Sequence, residues 1–232
     1  MTFKEYFSLD KIGKRLKDIK TAIDLGKSTT VFYAVENARY HIASNFDRFF
    51  LYVVADRLAA RRAQNIISAY IGEPVPIIFE RDDVLINNQT VSSYSLGQRL
   101  KALADITQKK VRGAIISAEG IMQFYPQKEL FENAIKTYKV DDVLVLDEFF
   151  EYLVTIGYKR VERPEDRGCF SARGDVINIY SYNEEMPYRI ELFDNQIEKI
   201  KYYDPENLKA IGDLKEITIF PASDILVDQK SA

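Results

Sequence analysis

Between residues 157 and 224 the sequence breaks into short runs: KRVE, CFSARG, DVINIYS, YRIELF, IEKIKYYD and EITIFPAS. Several alternate polar with apolar residues, and the links between them are short and polar. Side chains two apart share one face of a strand, so such runs bury one face and wet the other. The pattern therefore calls for antiparallel hairpins. Arg173-Gly174 closes one strand tightly, Pro187 enters another, and Asp194-Asn195 turns it back. The segment before them, VDDVLVLDEFFEYLVTIGY (140–158), is an amphipathic helix with its approach, ended by Gly157.

The first half of the chain is patterned differently. FFLYVVA (49–55) is a continuous apolar run, as expected of a strand buried on both faces. It leads into the helical DRLAARRAQNIISAYIG, stopped by Gly72. VPIIFE (75–80) and GAIISA (113–118) are further strand candidates, and 91–108 reads as helix with Leu96, Leu100 and Leu103 on one face. Residues 3–24 have helical apolar spacing and a lysine-rich remainder, read as a solvated face. Strands alternating with helices imply a mostly parallel sheet. Charge divides the same way: residues 1–132 carry 19 Lys/Arg and 15 Asp/Glu (net +4), and residues 133–226 carry 12 and 19 (net −7). The expected organisation is an α/β lobe over 1–132, an α+β lobe with a small antiparallel sheet over 133–226, and a tail over 227–232.

Motifs for catalysis are missing or broken. One cysteine (Cys169) and one histidine (His41) exclude disulfides within the chain and a His/Cys zinc cluster. Gly26-Lys27-Ser28 resembles the end of a phosphate loop, but Thr21 stands where the first glycine belongs and helix-like residues precede it. The 10 glycines are otherwise scattered singly, so no nucleotide site is expected. His41 reads as a helix-surface residue and Cys169 as a buried, inert thiol. The carboxylate pairs Asp82-Asp83, Asp141-Asp142 and Glu184-Glu185 read as loop acidity rather than a metal site. Phe149-Phe150 and Tyr202-Tyr203 lack the basic interleaving of a base-stacking surface and read as core. No apolar run could span a membrane, and MTFKEYFSLDK lacks a signal core, so a reducing, cytoplasmic setting is expected.

One strand face stands out. Arg189, Glu191 and Phe193 alternate along YRIELF and should share one side. Arginine, glutamate and phenylalanine together do not make a core face. Such a face is either solvated or docks a protein, where arginine and aromatics concentrate.

The same region carries linked sequence blocks: Gly157-Tyr158-Lys159-Arg160-Val161, Gly168 to Tyr180, Pro187 to Asp204, and Ile217 to Asp224. In this order they closely resemble the module shared by bacterial transcription-repair coupling factors (Mfd) and the excision-repair protein UvrB. Cys169, Asn178, Ser181 and Leu192 depart from the family pattern, which commonly has Glu, a carboxylate, Pro and an aromatic there. A helix–strand–helix run before these blocks is compatible with the family. Where UvrB has a phosphate loop, VFYAVENAR (31–39) has neither Gly nor Lys, so the resemblance is to the coupling factor, whose first lobe is a degenerate P-loop NTPase-like domain.

That resemblance implies an N-terminal fragment without catalysis or cofactor of its own, and with no membrane or small-molecule partner. It implies docking of the damage-recognition protein UvrA, with the family's UvrA-facing positions falling on Arg173, Arg189 and Phe193. It further implies a full-length ATP- and Mg-dependent DNA translocase that engages RNA polymerase and double-stranded DNA through other domains. The competing expectations are a UvrB-like, DNA-damage-binding ATPase and a free-standing UvrA-binding regulator.

Overall fold

The computed structural model describes residues 14–30, 36–46, 48–81, 93–204 and 209–226. Two compact units form: Met1–Arg81 with Gln108–Gln123, and Asp82–Thr107 with Phe124–Ala232. The charge break near 130 therefore does not coincide with the packing. Leu100 and Ala104, on a helix the charge pattern assigned to the first lobe, pack with Phe131 and Phe220 of the second unit.

In the first unit, α1 (Lys14–Asp24) ends in a left-handed turn at Gly26, φ 72°. The Gly-Lys-Ser triplet thus lies on the exit of a helix, not between a strand and a helix. Residues 31–35 of the VFYAVENAR stretch lie outside the described residues; its remainder opens α2 (Glu36–Ser44). His41 sits on α2 but is not a surface residue. It is 8% exposed, and its ring packs 5.2 Å from that of Tyr70.

Three parallel strands follow: β1 (Phe50–Val54), β2 (Ile77–Ile78) and β3 (Gly113–Ser117), in the order β1-β3-β2. β3 is central and buried at every position. β1 is not buried on both faces: Phe50, Tyr52 and Val54 pack against the core, while Leu51 and Val53 are 43% and 49% exposed. It is also an edge strand among the described strands, pairing only with β3. α3 (Arg57–Ile71) covers the sheet with Ala60, Ala63, Ile67 and Ile71, which fall on one face at helical spacing. Asp56 caps its start and Gly72, φ 80°, its end.

In the second unit, α4 (Ser93–Thr107) precedes a four-residue helix of the first unit, α5 (Ala118–Ile121). The chain then builds α6 (Lys128–Asn133), β4 (Lys136–Lys139) and α7 (Leu146–Thr155). Six strands follow and form one sheet: β5 (Lys159–Arg160), β6 (Cys169–Arg173), β7 (Val176–Tyr180), β8 (Tyr188–Phe193), β9 (Gln196–Tyr203) and β10 (Ala210–Leu214). Their order is sequential, as hairpins require, except that β5 runs parallel to β6. β11 (Glu216–Ile219) does not join this sheet; it pairs with β4 instead. Phe149 and Leu153 of α7 pack on Phe170, Ile177, Ile190 and Ile200 of the sheet's inner face.

The sequence blocks converge at a joint. Gly157 has φ 97°, and a Cβ there would lie 2.6 Å from the Ser223 Cβ and 2.9 Å from its backbone nitrogen. The Ala222 N–H donates to the Ile156 carbonyl at 2.8 Å, and the Tyr158 hydroxyl donates to the Phe220 carbonyl at 3.0 Å. Glycine is required here by backbone conformation and by close approach at once.

Candidate protein-docking surface

Hairpin register decides which side chains share the outer face of the six-stranded sheet. Directly paired residues lie on the same face. Arg173 pairs with Val176, Val176 with Glu191, and Glu191 with Lys199. Ser171, Asn178, Arg189 and Lys201 form the neighbouring row. Ile177, Ile190 and Ile200 point to the opposite side, into the core. The alternation along β8 therefore puts Arg189, Glu191 and Phe193 together on the outer face.

Phe193 is 74% exposed, so it does not belong to the core. It ends β8 at the Asp194-Asn195 turn, where Asp194 has φ 58°. The turn after Arg173 reaches the same end of the sheet, because the Leu192 N–H donates to the Asp175 carbonyl at 2.8 Å. Arg173 is exposed and makes no ion pair among the described residues. The structure thus gathers Arg173 and Phe193 at one corner of one face.

Arg189 differs from the exposed anchor expected of it. It is half-buried, its Nε donates to Asn178 Oδ1 at 3.0 Å, and its guanidinium lies 4.9 Å from the centre of the Tyr203 ring. Beside it, Lys201 Nζ bonds both carboxylate oxygens of Glu191 at 3.0 Å. Arg189 is held in place by its own fold, and truncating it removes packing as well as charge.

Sequence reasoning missed the neighbours of Phe193. Val143 forms a bridge with Gln196, which pairs in turn with Phe193. The Leu144 N–H donates to the Asn195 carbonyl at 2.7 Å, and the Ile197 N–H to the Asp142 carbonyl at 2.9 Å. Residues 141–144 thus extend the hairpin tip, with Val143 70% exposed and Leu144 buried. The signal was present in VLVL, an alternating pattern that lies inside what reads as the approach to a helix. A notch of about 220 Å³ opens here between Asp141, Phe193, Gln196, Ile197 and Glu198.

The carboxyl ends of the parallel strands in the first unit are where an open α/β sheet normally receives a ligand. Here Glu80 is buried, ion-paired with Arg57, and accepts a hydrogen bond from the Ser117 hydroxyl at 2.9 Å. Burial pushes its carboxyl up, but hydrogen bonds from its own backbone, Arg57 and Ser117, and the Arg57 charge, hold it below the ordinary value. The first turn of α3 is occupied by Asp56, which accepts from the Ala59 N–H at 2.8 Å. A phosphate would meet a buried carboxylate and a helix start that is already capped.

The remaining candidates have local roles. Asp142 caps a turn by accepting from the Lys139 N–H at 2.7 Å, and Glu184 accepts from the Tyr202 hydroxyl at 3.1 Å. Asp82 and Asp83 lie outside the described residues. Among the described residues no group of three His, Cys, Asp or Glu could hold a metal ion, and no helix is long and apolar enough to cross a membrane. Burial pushes the Cys169 thiol up, away from the reactive thiolate form.

The family model of the UvrB interaction domain matches residues 137–224, a span that contains Arg173, Arg189, Phe193 and Val143. The chain is similar to the transcription-repair-coupling factor of Staphylococcus aureus (strain bovine RF122 / ET3-1), 31% identical over 141 residues. It is also similar to that of Staphylococcus haemolyticus (strain JCSC1435), 30% identical over 138 residues. These matches cover 61% and 60% of this chain but 12% of each relative.

Proposed function

We propose, on the premise that residues 137–224 form a UvrB interaction domain and that the chain is similar to transcription-repair-coupling factors, that it is a non-catalytic recruitment module for UvrA. One observation carries this reading: Arg173 and Phe193 stand exposed at one corner of that domain, beside a pre-positioned Arg189. Arginine makes bidentate bonds to carboxylates, and an exposed aromatic beside it excludes water from them. UvrA then supplies acidic groups to the arginines and an apolar contact to Phe193.

The first unit serves as a degenerate P-loop NTPase-like scaffold that takes no nucleotide. The strand ends support this, since Arg57 is already engaged by Glu80 and the start of α3 is already capped by Asp56, leaving neither for a triphosphate. ATP and Mg belong to the motor of a longer, cytoplasmic bacterial translocase that engages RNA polymerase and double-stranded DNA elsewhere. The test is titration of purified UvrA into the 232-residue chain, with Arg173→Ala and Phe193→Ala alongside. Binding that each substitution weakens, with melting temperatures unchanged, supports the reading. No binding, or binding indifferent to both, removes it. Micromolar ATP binding by calorimetry would overturn the nucleotide-free assignment.

A further inference from the structure

We propose that the docking face continues past Phe193 across Gln196 to Val143, and that the notch beside it receives one apolar side chain of UvrA flanked by a lysine or arginine. This rests on the reading of Arg173 and Phe193 as a UvrA surface. The register supplies the continuity. Phe193, Gln196 and Val143 are consecutive cross-strand neighbours, so their side chains form one row on one face. Both ends of the row are apolar and open, at 74% and 70% exposure. The notch beside Phe193 and Gln196 in this row, about 220 Å³, is smaller than small-molecule sites usually are and suits a single side chain.

Charge selects the occupant. Asp141 and Glu198 line the notch, Glu198 in an exposed ion pair with Lys199 at 3.2 Å, and exposed Asp194 sits at the adjoining turn, so carboxylates outnumber the one lysine there. At the other end of the corner stands Arg173, with no ion pair among the described residues. The surface therefore runs from cationic through apolar to anionic. A partner must present the reverse, a carboxylate, then an apolar residue, then a cationic group. Such an order fixes the orientation of docking as well as its strength.

The experiment measures affinity for purified UvrA of the 232-residue chain and four variants: Val143→Asp, Asp141→Lys with Glu198→Lys, Arg173→Ala and Phe193→Ala. Val143→Asp should weaken binding about tenfold or more, because it places a charge among the apolar contacts. The double lysine variant should weaken it comparably, and its loss should shrink as salt is raised. If Arg173→Ala and Phe193→Ala weaken binding while Val143→Asp and the double lysine variant do not, this inference is overturned and the UvrA reading stands. If none of the four weakens binding, the UvrA reading falls and this inference with it. Should Val143→Asp lower the melting temperature, Val143→Thr replaces it, keeping shape while adding a hydroxyl. A loss of about threefold in that folded variant supports the extension of the face to Val143, and unchanged affinity overturns it.

Discussion

Arg99 and Arg173 belong to the same unit, and their surroundings could hardly differ more. Arg99 is fully buried on α4, with its donors matched one by one. Its Nε donates to Asp224 Oδ2 at 2.7 Å, Nη1 to the Tyr125 hydroxyl at 3.1 Å and Nη2 to the Phe124 carbonyl at 3.0 Å. The Tyr125 ring lies 4.1 Å below the guanidinium. Arg173 ends β6 in the open, with no ion pair among the described residues. Burying a guanidinium costs several kcal/mol unless it is fully paired, whereas exposing one costs almost nothing. The buried arginine can therefore act only as a fixed joint, tying α4 to the C-terminal Pro-Ala-Ser-Asp block. The exposed one keeps its fork of donors available for another molecule.

The sharpest way to break this contrast is to remove each arginine in turn. Arg99→Ala should destabilise the second unit by about 3–5 kcal/mol, because it strands the buried Asp224 carboxylate. Asp224→Leu alone should cost a similar amount, by stranding Arg99. Arg99→Met combined with Asp224→Leu should cost clearly less than either single change, since an apolar pair has no charge left to satisfy. Thermal or urea melts decide the matter. Singles that melt like the parent would mean that water reaches this corner and the joint is not a joint.

Alkali distinguishes the interior from the face by another route. Burial pushes Tyr138 and Tyr203 up to about 12, and Tyr152, Tyr158 and Tyr188 are also raised by burial. A raised folded-state value favours the protonated form in the native protein. The stability it gives is complete below the unfolded value near 10 and is lost as pH rises through the folded value. Tyr138 and Tyr203 should each cost on the order of 1–2 kcal/mol on passing from pH 10 to beyond 12, once solvent screening is allowed for. Tyr94 is 62% exposed and adds its own signal, so the reading is the difference between the parent and Tyr138→Phe or Tyr203→Phe: a tyrosinate signal lost from either variant at pH 10, with circular dichroism unchanged, would show that ring to be open to solvent.

The two regions were also unequally legible in the sequence. The outer face could be read because a strand has period two: once YRIELF is a strand, Arg189, Glu191 and Phe193 must share a side. The turns at Gly174 and Asp194 were legible from turn chemistry, and both residues have positive φ. The joint could not be read. Arg99 and Asp224 are 125 residues apart, and nothing local separates Arg99 from any solvated arginine on a helix. The same limit assigned α4 to the wrong side of the charge break and left His41 on the surface. Val143 was lost differently, because four residues of strand-like alternation are outweighed by the helical pattern that follows them.

Removing the exposed pair should give a smaller effect, and one in binding rather than folding. Phe193→Ala and Arg173→Ala should each cost about 2 kcal/mol of UvrA affinity, roughly 30-fold. Their melting temperatures should stay at the parent's value, since exposed side chains contribute little to stability. Arg189→Ala should show both effects, because this side chain also covers Tyr203. If Arg189→Ala lowered affinity only in proportion to unfolded protein, Arg189 would belong with Arg99 as a structural residue.

The smallest expected effect tests whether Arg189 works by charge or by place. Asn178 offers its carbonyl oxygen to Arg189 Nε and its amide nitrogen to Ser171 Oγ, 3.4 Å away. Asn178→Asp keeps the shape and both contacts, because a serine hydroxyl can donate to a carboxylate. It turns a hydrogen bond from a cation to a neutral amide into an ion pair, so melting should rise slightly, by about 0.5–1 kcal/mol of stability. The added negative charge lowers the positive potential that an acidic partner would meet. UvrA affinity should fall by about threefold or less, under 1 kcal/mol, and the difference should fade as salt screens the face. Tighter binding by Asn178→Asp would assign Arg189 the other role: its planar group would serve by lying flat on Tyr203 as a platform, and the charge recognised by the partner would be that of Arg173.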